Sequence, residues 1–98
     1  MTDHITLQML QQRAFNLIQT ALGFMGVEQV SLREFRSHRG NTFLCRIRLQ
    51  AATLSDAFYA VENGFCEDVL PLNLHDTLQP GWFQAELVVQ ASSLPEAQ

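Results

Sequence analysis

Thr42-Phe-Leu-Cys-Arg-Ile-Arg-Leu-Gln50 alternates without a break: Phe43, Cys45, Ile47 and Leu49 share one face, and Leu44, Arg46, Arg48 and Gln50 the other. A period of two belongs to a strand with one face against a core. The run 27–36 before it also alternates. Val30 and Leu32 match the inner face, while Ser31, Arg33 and Phe35 point outward. Ser37-His38-Arg39-Gly40-Asn41 supplies the turn between the two runs. A hairpin with an even-length loop sets apolar against apolar and predicts Arg33 close to Arg46.

Upstream of the hairpin, Ile5, Leu7, Leu10, Ala14, Leu17, Ile18, Ala21 and Leu22 recur every three or four residues among Gln, Arg, Asn and Thr. That spacing predicts an amphipathic helix over 5–23, with Asp3 or Thr2 as N-cap and Gly23 and Gly26 ending it. Downstream, Thr53-Leu-Ser-Asp56 is a capping-box variant that opens a short helix through Ala57, Phe58, Ala60 and Val61, closed by Asn63-Gly64. Val69, Leu70, Leu72 and Leu74 are compatible with a strand, which Pro71 confines to an edge or excludes. Residues 75–81 read as a loop with a Pro-Gly turn. The last strand covers 82–91, with Phe83, Ala85, Leu87, Val89 and Ala91 inward and Trp82, Gln84, Glu86, Val88 and Gln90 outward.

The order is α-β-β-α-(β)-β. Burying these stripes together calls for an α+β fold: an antiparallel sheet built from the hairpin and the C-terminal strand, with the N-terminal helix and a short second helix packed on one face. A chain of 98 residues makes one domain, placed at 1–91, and residues 92–98 read as a flexible tail.

Composition narrows the function. Hydrophobic residues make up 47% of the chain and charged residues 16%, so few ionised groups are available to cover the outside. A homodimer is therefore expected, with some apolar surface shared between copies. The net charge is −4, yet all six cationic residues are Arg, and Arg33, Arg36, Arg39, Arg46 and Arg48 cluster in the hairpin. Two cysteines are too few for a disulfide framework. Met-Thr-Asp-His lacks a basic n-region, and Gln8, Gln11, Gln12, Arg13 and Asn16 interrupt the first apolar stretch. Neither a signal peptide nor a membrane association is read there, and a cytoplasmic location is expected.

His4, His38 and His75 fall in three segments with no Cys at ligand spacing, so neither a metal nor a cofactor is expected. Cys66 or Cys45 with His75 would serve a cysteine-based enzyme only if thiol and imidazole met. Gly23-Phe24-Met25-Gly26 ends a helix and makes no phosphate loop. The constellation that carries chemistry is Arg33, Phe35, Leu44, Arg46 and Arg48 on the outer face of the hairpin, extended by Trp82. Arg and Trp suit protein-binding hot spots. The leading expectation is a non-enzymatic interaction or accessory protein binding its partner through the outer sheet face or an edge. Nucleic-acid or anion binding by the arginines is the alternative, opposed by the acidic total and Glu86 on the same face. A small enzyme using a cysteine ranks third. The plainest account of the arginines is a solvated face, with Arg46 and Arg48 paired to Glu86 and Glu28.

Overall fold

Thr6 opens the first helix: its hydroxyl accepts the Met9 N–H at 3.1 Å, satisfying a donor that has no partner within the helix. The structure is a computed structural model and describes residues 6–94, so the expected caps Thr2 and Asp3 lie outside the described residues. Helix α1 (Leu7–Phe24) turns Ala14, Ile18 and Leu22 inward, each fully buried and four residues from the next. Gly26, at φ 89°, reverses the chain, and Gly23 stays within the last helical turn.

Four strands follow: β1 (Val30–Ser37), β2 (Thr42–Gln50), β3 (Val69–Asp76) and β4 (Trp82–Gln90). They form one antiparallel sheet in the order β1-β2-β4-β3. Helix α2 (Leu54–Asn63), capped by the Thr53 hydroxyl on the Asp56 N–H (3.1 Å), carries the chain from β2 to the far edge. The expected α+β class is thus observed, and the ambiguous segment is strand β3. Pro71 does stand on an edge. The β3–β4 ladder takes its phase from the Gln90 N–H donating to the Asp68 carbonyl at 3.4 Å, which turns the donor-less nitrogen of Pro71 away from β4.

The inward faces of β2 and β4 are the centre of the core. Cys45, Ile47, Leu49, Ala85, Leu87 and Val89 are fully buried, under Ala14, Ile18 and Leu22 of α1 and Ala57, Ala60 and Val61 of α2. Each large aliphatic side chain withdrawn from water in this way contributes about 1.5–3 kcal/mol. Both helices pack on this one face. After a short 3-10 turn (Ala91–Ser93), Leu94 is buried and joins the core, so the packed unit reaches past residue 91.

The hairpin register corrects one expectation. His38 and Thr42 close the turn, the His38 N–H donating to the Thr42 carbonyl at 2.9 Å, with Arg39, Gly40 and Asn41 between them. This loop holds an odd number of residues, and alone it would turn Val30 and Leu32 outward. A β-bulge restores the match: Leu32 pairs with Ile47 and Glu34 with Arg46, leaving Arg33 as the extra residue. Beyond the bulge the parity flips. Phe35, expected outside, faces Cys45 within the core and stacks on Phe43 with ring centroids 4.8 Å apart. Glu34, not Arg33, faces Arg46.

Candidate functional site: the open face of the sheet

With both helices on one side, none of the described elements packs on the other face of the sheet. Its side chains form cross-strand rows set by the register. Nearest the β1–β2 turn lie Arg36, Leu44, Val88 and Leu70. Leu44 is buried within this row although no helix covers it, while Leu70 is 57% exposed. Leu72, beside Leu70 on the edge, is also exposed.

The next row is an ionic chain across all four strands. Arg46 Nη1 lies 2.8 Å from Glu34 Oε1 on β1, and Arg46 Nη2 lies 3.6 Å from Glu86 Oε2 on β4. Asn73 Nδ2 on β3 donates to Glu86 Oε1 at 2.7 Å, and Arg36 Nε reaches Glu34 Oε2 at 3.3 Å. Asn73 takes the left-handed conformation at φ 53°, at an irregularity between Leu72 and His75. Asn tolerates that region better than most residues, and here it brings the amide over Glu86. Irregularities on the two outer strands, at Arg33 and at Asn73, thus flank the two ends of one polar row.

In the third row Ser31, Arg48, Gln84 and His75 are neighbours, and Arg48 Nε donates to Gln84 Oε1 at 3.4 Å. His75 Nδ1 lies 2.7 Å from the Asp76 carbonyl; since that oxygen only accepts, Nδ1 carries the proton. Trp82, opposite Gln50, ends the face half-buried. Between Arg46, Asn73, His75, Gln84 and Glu86 lies a shallow depression of about 480 Å³, open to solvent.

Leu44, Arg46, Arg48 and Trp82 therefore share the face on which the sequence places them. Arg33 is exposed on the bulge, and Phe35 is inside. Arg46 has its Glu86 partner. Among the described residues Arg48 has no carboxylate within ion-pair distance, so the pairing with Glu28 does not occur. Sequence reasoning missed Glu34 because parity without a bulge points it inward, and Asn73 because the Pro71 segment had no readable period. Arg46 is already held by two carboxylates and Arg36 by one of them, so neither guanidinium is left free for a phosphate backbone.

Cys45 is fully buried, and burial pushes its thiol up to about 12. That is the reverse of what a nucleophile needs. Cys66 is exposed, but the length of β3 separates it from His75 by roughly 20 Å at the rise of a strand. Among the described residues no group of three His, Cys, Asp or Glu side chains is placed to hold a metal ion, and no helix is long and apolar enough to cross a membrane. Comparison with protein families, curated proteins and solved structures finds no match to this chain.

Proposed function

We propose that this chain is a non-enzymatic interaction protein that self-associates as a homodimer and binds a partner protein through the outer face of its sheet or an adjoining edge. The observation that carries the reading is that bare face, on which an apolar row (Leu44, Val88, Leu70) adjoins an ion-paired row (Glu34, Arg46, Glu86) with Trp82 at the far end. A pre-paired ionic row is held in place before binding, so little side-chain entropy is lost when a partner covers it. An aromatic and two arginines beside aliphatic side chains match the composition of interface centres.

Self-association has separate support on the α2–β3 side. Leu54 and Phe58, one helical turn apart, are 42% and 55% exposed on α2, and Leu70 and Leu72 are exposed on the outer face of β3, the edge strand at the same end of the sheet. Tyr59 and Asp56 line a cleft with Met25 and Val27 at the end of α1. The Leu54–Phe58 flank of α2 is therefore the one turned away from α1, toward β3. A second copy covers this apolar side by side-chain packing.

Light scattering behind size-exclusion chromatography should give a dimer that Phe58→Ser with Leu70→Ser converts to monomer. A wild-type monomer at every concentration removes the self-association half of the reading. The partner half is tested by affinity capture with wild-type protein and with Arg46→Ala/Trp82→Ala. A partner retained equally by both, with circular dichroism unchanged, places the binding surface elsewhere.

A further inference from the structure

The two edges of the sheet differ in what their backbones offer. On β3 the outward-facing groups belong to Val69 and Pro71, by the alternation of an antiparallel ladder. Pro71 has no N–H, the Val69 N–H already donates to the Cys66 carbonyl at 3.2 Å, and the backbone at Asn73 turns left-handed. Each of these is a known way of closing an edge to another strand. No such device protects the first half of β1. The Gln50 N–H donates to the Gln29 carbonyl at 3.0 Å, so Ser31 bonds to β2 while Val30 and Leu32 aim both N–H and C=O away from the sheet.

A groove of about 360 Å³ runs along this open stretch, between α1 and β1, lined by Gln8, Gln12 and Phe15 from the helix and by Val30 and Leu32 from the strand. On the other side of the edge the charge is positive. Arg33 is exposed on the bulge with no carboxylate partner among the described residues, and Arg36 and Arg39 follow it, both exposed. Glu34 pairs with Arg36 and Arg46 on the outer face, which leaves Arg33 as the bulge's own unpaired charge among the described residues.

We propose that the edge of β1 at Val30–Leu32 takes an extended segment of a partner protein, added as a further antiparallel or parallel strand, in which apolar and acidic side chains alternate. The proposal rests on the reading of this chain as an interaction protein and names the chemistry of its partner. Main-chain hydrogen bonds to Val30 and Leu32 hold the segment. Its apolar side chains enter the groove beside Phe15, and its acidic ones, on the opposite face of the new strand, meet Arg33. A second copy's β1 suits this edge poorly, since it brings the same arginines against one another.

The test uses the full chain and a synthetic octapeptide alternating valine and glutamate, observed by amide chemical shifts in NMR titration. The expected result is saturable movement of the Val30, Ser31 and Leu32 amides. Affinity should fall several-fold for Arg33→Glu, and binding should be lost when alternate peptide nitrogens on the pairing side are methylated. A valine–lysine octapeptide should not bind. Absence of binding overturns the proposal, and so does binding that ignores both Arg33→Glu and N-methylation. Movement confined to Arg48, Gln84 and Trp82 overturns it while leaving the outer-face reading intact. Concentration-dependent protection of the Val30–Leu32 amides without peptide assigns the edge to a second copy, and also overturns it.

Discussion

Glu34 and Arg46 face each other across β1 and β2 with 2.8 Å between Oε1 and Nη1, and the extra residue Arg33 lets them do so while Val30 and Leu32 face the core. An unbroken alternation from an inward Val30 and Leu32 would instead point Glu34 into the core as an unpaired carboxylate, at a cost of several kcal/mol. The bulge exchanges it for Phe35, which fills the space beside Phe43.

Because both partners are more than a third exposed, the ion pair itself adds little stability. A double-mutant cycle of Glu34→Gln and Arg46→Met, read by urea denaturation, should give a coupling of about 0.5–1 kcal/mol that shrinks as salt is added. A coupling unaffected by 1 M salt would mean that the pair is shielded from water in solution.

Arg33, unpaired in the ladder, is the residue of β1 whose removal leaves the inward and outward faces unchanged. Arg33→Ala should leave stability within about 0.5 kcal/mol of wild type. Deleting Arg33 removes only the extra residue and leaves Leu32 opposite Ile47 and Glu34 opposite Arg46, so the core should survive it; deleting Ser31 instead turns Val30 to the outer face and should cost at least ~2 kcal/mol. Equal midpoints for the Arg33 and Ser31 deletions in thermal melts would remove the bulge from the account.

Phe35→Ala should destabilise the fold by about 3 kcal/mol, as truncation of a buried aromatic does. Phe24, 86% exposed, gives the control: Phe24→Ala should change stability by no more than about 0.5 kcal/mol. If Phe35→Ala proves as silent as Phe24→Ala, the side chain lies on the outer face after all.

Cys45 supplies a pH dependence. Burial raises its thiol from 9.0 to about 12, so above pH 9 the unfolded chain releases a proton that the folded chain retains. Stability contributed by the neutral buried thiol is complete below pH 9 and is lost as pH climbs from 9 toward 12. The loss is about 1 kcal/mol by pH 10. Cys45→Ala should lower stability at pH 7 yet flatten the decline between pH 8 and 10. In the native wild type at pH 8, a thiol reagent should modify Cys66 alone; rapid labelling of Cys45 would contradict its burial.

Where a segment's own period was unbroken, the sequence was sufficient. The stripe Ala14–Ile18–Leu22, the β2 alternation and the row Phe83–Ala85–Leu87–Val89 reappear with the same inward residues. The site was legible in part. Leu44, Arg46, Arg48 and Trp82 occupy the face their parity implies, whereas Glu34, Asn73 and the inward turn of Phe35 were hidden. A one-residue bulge leaves no mark on composition, because apolar, charged and aromatic residues all occur near it. β3 was hidden for another reason: Pro71 and Asn73 break its period locally, and its place at the edge depends on β4, later in the chain.

By itself the sequence determined which residues must leave water and with what local period, since helix and strand spacing follow from backbone geometry within a few residues. Tertiary structure alone decided that β4 enters between β2 and β3, that one edge is closed by Pro71 and the other left open at Val30–Leu32, and that Glu34 and Asn73 meet one ionic row. Those outcomes depend on register between segments far apart in the chain. Register is fixed only when the apolar faces are packed against each other and every buried backbone group has found its partner.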